Sequence, residues 1–165
     1  MSSATLFHNP HQQTRIPFVV GLLLLVAVLA FGIPAVGAAP TTTIVVNSTA
    51  DVLADDGQCT LREAITAANT DTASGSMGGE CAAGSGADTI VLPFGTYTLQ
   101  LAGAAEDDNA TGDLDIFSDL TLQPEMVGGQ VTVDGATLDR VFHVQAGATV
   151  EVTGLLIPNG KTPNG

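Results

Sequence analysis

From Asp88 onward the chain consists of short apolar-alternating runs broken by Gly, Asp or Pro corners. Thr89-Ile90-Val91-Leu92 ends at Pro93, and Tyr97 to Leu101, Leu114 to Ile116, Leu120 to Leu122 and Val131 to Val133 alternate cleanly. Arg140 to Val144 and Thr149 to Ile157 continue the pattern. Runs this short cannot form a large flat sheet, and their period of two assigns them to strands. Leu99 and Leu101 recur as Leu120 and Leu122, 21 residues on, and as Phe142 and Val144, 22 further. Val131 and Val133 recur as Val150 and Val152 after 19 residues. Short strands returning about every 20 residues are a solenoid signature. The absence of long helices excludes leucine-rich and ankyrin repeats. The expectation is an all-β, right-handed parallel β-helix of three to four coils, about 15 to 20 Å tall at ~4.8 Å per strand. Its Ile, Leu, Val and Phe point inward and its Thr, Gln and Asp outward. An antiparallel sandwich is the competing architecture.

Composition narrows the function. Four Lys+Arg face 17 Asp+Glu in 165 residues, a formal charge of −13. Four cations cannot build a phosphate-neutralising surface, which excludes nucleic acid as a partner, and anionic membranes on the same ground. Much of the apolar content lies in Phe18 to Ile33, sixteen residues followed by Pro34 and the small residues Ala35 to Ala39. A bilayer needs about 20. Residues 1-39 therefore read as a secretory signal peptide, with Val36 and Ala38, or Gly37 and Ala39, preceding the cut. An uncleaved signal anchor is the alternative, and this segment is the one route to a membrane. Its loss removes Arg15 and no acid. Cys59 and Cys81 lie in the exported part, where an even pair is most simply a disulfide; two buried thiols are the other reading.

Residues 40-87 carry one helix, 60-69. Thr60 as N-cap and Glu63 three residues later make a capping box, and Leu61, Ala64, Ile65 and Ala68 form one apolar stripe. A helix this short must lie against an apolar surface to persist. The loop 71-87 contains five glycines and is tied back by Cys81. Val46-Asn47-Ser48-Thr49-Ala50-Asp51, Cys59-Thr60-Leu61-Arg62-Glu63-Ala64-Ile65 and Ala67-Ala68-Asn69 resemble the CSLREA-type N-terminal domain of secreted bacterial, pectate-lyase-like β-helix surface proteins, with Thr60 in place of the Ser. Gly86 to Pro93, Gly95-Thr96-Tyr97 and Val150 to Ile157 are similar to the segments C-terminal to that domain in such proteins. The resemblance implies that the helix caps the first coil of residues 88-165, with Arg62 and Glu63 facing outward or pairing with a neighbouring loop. It brings no catalytic residue with it. The chain stops right after a rung with no second amphipathic helix, so the coils are expected to be the first part of a longer β-helix, or the last coil to be completed by another chain.

Several residues are candidates for chemistry. Asp107, Asn109, Thr111, Asp113 and Asp115 have oxygen ligands at positions 1, 3, 5, 7 and 9 of a Ca²⁺-type loop, with Gly112 at 6. Ser118 replaces the bidentate Glu, and a plain solvated turn is the alternative. No other cofactor is indicated, and no phosphate loop follows a strand. A glycan lyase or hydrolase needs paired carboxyl groups across a groove. Asp113, Asp115, Asp134 and Asp139 are candidates, but only Arg62, Arg140 and Lys161 remain as cations, and Arg140 sits next to Asp139. His143 has no nucleophile at readable spacing and reads as a surface residue. Asn47-Ser48-Thr49 and Asn109-Ala110-Thr111 match the glycosylation acceptor. The resulting expectation is an exported, non-catalytic scaffold or adhesion element, secreted or at the cell surface. Its partners would be a cell-wall or extracellular glycan or the rest of a longer β-helix. A fragment of a polysaccharide lyase or glycoside hydrolase is the alternative.

Overall fold

In the computed structural model, which describes residues 40–104 and 106–162, Ile44, Ile90 and Leu122 stand side by side in one sheet, each fully buried. The leader 1–39 and its cleavage residues lie outside the described residues. Among the described residues nine short strands succeed one another in chain order: β1 (Thr43–Val45), β2 (Asp88–Leu92), β3 (Gly95–Thr98), β4 (Leu114–Ile116), β5 (Leu120–Pro124), β6 (Val131–Asp134), β7 (Phe142–Val144), β8 (Val150–Val152) and β9 (Leu155–Leu156). One helix, α1 (Leu61–Thr70), lies between β1 and β2. All strand pairs are parallel, in three sheets ordered β1-β2-β5-β8, β3-β6-β9 and β4-β7. The antiparallel sandwich is thereby excluded. From β2 the chain visits the three sheets in turn and lays each new strand beside its predecessor.

The strand positions match the alternating runs except Tyr97 to Leu101, where β3 ends at Thr98, but the register does not match the 19- to 22-residue spacing. Leu120 aligns with Asp88 and Val150, so returns to the first sheet take 32 and 30 residues. Val131 aligns with Gly95 and Leu155, and Phe142 with Leu114. The apparent repeat linked residues of different sheets: Leu99 lies just after β3, whereas Leu120 belongs to the first sheet. A period of two fits any even register, and corners of unequal length hide the true one.

The inward set is also corrected in the last strand of each sheet, at Val144, Val152 and Leu156. Ile90 and Leu122 are fully buried, while their register neighbour Val152 is 38% exposed; Ile116 is buried and its neighbour Val144 is 44% exposed. Each exposed residue belongs to a strand with no described neighbour on its far side. Asp115, expected outward, is fully buried.

Helix α1 supplies the hydrogen bonds that a further strand would give β4. Arg62 donates from Nη2 to Gly112 O at 2.9 Å and from Nη1 to Asp113 O at 3.0 Å. Asn69 donates to Asp115 O at 2.8 Å and accepts from Phe117 N at 2.8 Å. Residues 113, 115 and 117 alternate along one edge, so two helix side chains satisfy a strand edge that would otherwise be open to pairing. Gly112 takes φ +63° there, and a Cβ on it would lie 2.7 Å from Gly103 O, so only glycine presents this carbonyl to Arg62 without displacement.

The helix start is closed by the capping box: Glu63 N donates to Thr60 Oγ1, and Glu63 Oε2 accepts from Thr60 N at 2.9 Å. Asp71 ends the helix in the left-handed conformation. Leu61, Ala64, Ile65 and Ala68 are buried against the sheets, as the stripe requires. Cys59 and Cys81 form a disulfide, closing the 22-residue segment around the helix and contributing about 3 kcal/mol in the chain-entropy model. Among the described residues no helix is long and apolar enough to cross a membrane.

Candidate functional site

Three surface features carry polar or open chemistry. The first is an outward ladder on the first sheet, where Thr43, Thr89, Thr121 and Glu151 are register neighbours in successive strands. On the second sheet Thr96 and Thr132 are likewise aligned. Neighbouring strands lie ~4.8 Å apart, so the hydroxyls form a row with that repeat. At the strand starts a groove of about 420 Å³ is lined by Thr41, Thr89, Thr121, Thr149, Asp119 and Glu151 among others. Two carboxylates there serve the backbone: Asp88 accepts from Thr42 N and Ser85 N, and Asp119 accepts from Thr149 N at 2.7 Å.

The second feature is a larger groove, about 630 Å³, between the β5–β6 turn and the β8–β9 corner. Its lining, including Pro124, Met126, Val127 and Leu156, contains no titratable side chain.

The third is a cluster built across β4 and β7. Asp115 and His143 are directly opposite in register, which places both side chains on one face. His143 Nδ1 lies 2.8 Å from Asp115 Oδ1 and 3.3 Å from Asp107 Oδ1. Gln145, two residues after His143 on the same face, brings Nε2 to 3.1 Å from His143 Nδ1 and 3.2 Å from Asp107 Oδ1. One ligand atom from each of Asp107, Asp115 and His143 falls within 4.8 Å of the others. The Asp115 side chain is fully buried, that of His143 is 27% exposed and that of Asp107 67% exposed, so the cluster opens to solvent on one side. Burial pushes the Asp115 carboxyl above its usual range, the His143 hydrogen bond opposes this, and the nearby Asp113 charge adds to the rise.

The loop before β4 is organised by Glu106, whose carboxylate accepts from the N–H groups of Asp108, Ala110 and Thr111. Burial of Glu106 is outweighed by these bonds, which hold its carboxyl low. Asn109, at φ +58° and 1% exposed, ties the loop inward. Its Nδ2 donates to Arg62 O at 2.9 Å and to Thr66 Oγ1 at 2.9 Å, and its Oδ1 accepts from Asp115 N at 3.2 Å.

These contacts distribute the five residues of the Ca²⁺-type pattern. Asp107 and Asp115 meet at His143, while Asn109 faces the helix and Thr111 is bonded to Glu106. Asp113 forms an ion pair with Arg140 Nε at 2.7 Å. The loop therefore does not wrap one point. Arg140 takes Asp113 as its side-chain partner, and its neighbour Asp139 accepts only its backbone N–H. The Asp113 hydrogen bond raises the Arg140 pKa above its ordinary value, against the opposing effect of burial.

Arg62, read as outward-facing or loop-paired, is 1% exposed and pairs with Asp51 of the preceding loop, Nε to Oδ1 at 2.6 Å. Glu63 is also buried, with Oε1 accepting from Ala54 N at 2.7 Å. Asp134 accepts from Ala136 N and Asn159 Nδ2, which hold its carboxyl low. Asp113 and Asp139 thus both bond Arg140, Asp115 bonds His143, and Asp134 serves the turn after its own strand. Asn109, being buried and bonded, is not an acceptor for a glycan in the folded chain, and the Asn47 amide donates to Gly79 O at 2.8 Å.

The Asp115–His143 pair is not apparent from spacing along the chain. The available signal was the matching Leu-Asp-Ile and Phe-His-Val triplets, which place a polar residue at the centre of two strands that pair with each other. No protein-family model, curated protein or solved structure matches this chain.

Proposed function

We propose that this chain is an exported, non-catalytic module that acts as a cell-surface scaffold or adhesion element, binding an extracellular glycan through its hydroxyl-bearing sheet face. The observation that carries the reading is the ladder Thr43, Thr89, Thr121 and Glu151, with the adjoining groove at the strand starts. Hydroxyls and carboxylates at a regular spacing offer donors and acceptors to sugar hydroxyls without reactive chemistry.

The parallel sheets, visited in turn, fit a right-handed β-helix, the hand that parallel crossovers overwhelmingly take. With the edge-covering helix they also fit the CSLREA-type resemblance. A disulfide persists in oxidising compartments, which favours export. Against a lyase or hydrolase, the larger groove has no titratable group, and Arg62 and Arg140 are both committed to ion pairs.

The test is retention of the purified chain on an array of cell-wall and extracellular glycans, run alongside turnover assays on the same glycans. The expected result is retention weakened by Thr121→Val and Glu151→Gln, with no unsaturated or reducing sugar released. Glycan cleavage by the wild-type chain, or retention indifferent to both substitutions, would contradict the reading.

A further inference from the structure

The hydrogen bonding around His143 Nδ1 is over-subscribed. The Asp115 carboxylate oxygen at 2.8 Å requires this nitrogen to donate, whereas the Gln145 N–H at 3.1 Å requires it to accept, and Asp107 Oδ1 stands 3.3 Å away. A ring nitrogen carries either a proton or a lone pair, so with Asp115 ionised one state of the ring cannot serve both bonds. A cation at the centre resolves the conflict. It takes the lone pair of Nδ1 and one oxygen from each carboxylate, and a half-turn of the Gln145 amide brings Oε1 to where Nε2 stands.

The spacing agrees. Metal–N and metal–O bonds of about 2.0–2.1 Å in a tetrahedral site put neighbouring ligand atoms about 3.3–3.4 Å apart. Four of the six separations here run from 2.8 to 3.3 Å, and the ligand atoms of Asp107, Asp115 and His143 all lie within 4.8 Å of one another.

We propose that His143, Asp115, Asp107 and Gln145 form a site for a transition-metal dication of the Zn²⁺ class. The supports of a metal centre are in place. Asp115 is held through Asn109, whose N–H donates to Asp115 Oδ2 at 3.3 Å, and Asp107 is set by the Glu106-organised loop. Such outer contacts orient the ligands before the ion arrives. The exposed flank of Asp107 provides entry. Ca²⁺ fits poorly, because it takes six to eight oxygen ligands, whereas an imidazole with few oxygens suits Zn²⁺, Cu²⁺ or Ni²⁺. Bound metal would clamp the 106–113 loop to the β4–β7 pair and stabilise the fold in proportion to its occupancy.

The test is calorimetric titration of Zn²⁺ into the untagged full-length chain after chelation, for the wild type and His143→Ala. Both cysteines are in the disulfide and do not compete. His8 and His11 are present in both proteins, so the difference reports His143. The expected result is one Zn²⁺ per chain, with affinity reduced more than about tenfold in the variant and not displaced by equimolar Ca²⁺. Equal binding by the two proteins, or displacement by Ca²⁺, would overturn the assignment. If His143→Ala does not fold, the wild type alone decides: Cu²⁺, a paramagnetic ion that the same donor set accepts, should broaden the amide NMR signals of Asp107, Asp115, His143 and Gln145 before others. Broadening that leaves these four untouched would equally overturn it.

Discussion

Asp51 and Asp115 are both buried carboxylates facing a cationic or basic side chain, yet their surroundings differ in kind. Asp51 is enclosed by donors: Arg62 Nε and Nη2, and the N–H groups of Gln100 and Leu101 at 2.7 and 3.0 Å. Burial pushes its carboxyl up, but these four donors together outweigh burial and hold it below the usual range. Asp115 meets one imidazole, two neighbouring acids and a single backbone N–H, and its carboxyl is raised. The first arrangement is complete without any further group, and it joins the helix, the 47–58 loop and the strand edges. The second has fewer donors around its carboxylate and opens to solvent. Completeness separates a structural ion pair from a site that can take a ligand, and Asn109 joins the two by bonding both Arg62 O and Asp115.

The strongest way to break the comparison is to remove the cation of the complete centre. Arg62→Ala leaves Asp51 buried without its partner and strips two carbonyls of their donors, so thermal or urea unfolding should register a loss of about 3–5 kcal/mol. A loss under about 1 kcal/mol would mean that water enters and that the centre is not sealed. Opening the disulfide that frames the same helix ranks next, at about 3 kcal/mol by the loop-entropy argument, measured on Cys59→Ala/Cys81→Ala. Thr60→Ala, which removes the helix cap and the hydroxyl's bond to Val52 O, should cost about 1–2 kcal/mol.

Protonation sharpens the contrast because the two signs are opposite. The folded pKa of Asp51 lies below its unfolded value, so its contribution is present above the unfolded pKa and is lost as pH falls through the folded one. The folded pKa of Asp115 lies above its unfolded value, so its ionisation costs stability above the folded pKa and that cost disappears as pH falls below the unfolded one. Urea titrations between neutral and acidic pH should therefore show a shallower acid loss in Asp51→Asn than in the wild type, and a steeper one in Asp115→Asn. Parallel pH profiles for the two variants would remove the distinction.

The parts of this molecule that could be read from sequence are those set by neighbours in the chain. The alternation of Val131 to Val133 or Leu120 to Leu122, the Thr60–Glu63 box and the apolar stripe of α1 are local patterns, and each lies where the residues put it. An even cysteine pair was equally legible. Register was not, because corner length varies and Leu120 could align with Leu99 or Asp88 on alternation alone. The burial of Arg62 was hidden for a related reason: its partners Asp51, Gly112 and Asp113 come together only when the helix lies on the β4 edge. His143 and Asp115 are 28 residues apart and meet through strand pairing, which no local spacing encodes.

The most direct measurement is thermal unfolding of the wild type, Asp51→Asn and Asp115→Asn, each in chelator and in excess Zn²⁺. The predicted result is a lowered Tm for Asp51→Asn in chelator with the Zn²⁺-induced rise kept. Asp115→Asn should hold or exceed the wild-type Tm in chelator and lose that rise. Equal losses in chelator for both variants, or a Zn²⁺ response that survives in Asp115→Asn, would contradict the division into one structural centre and one ligand site.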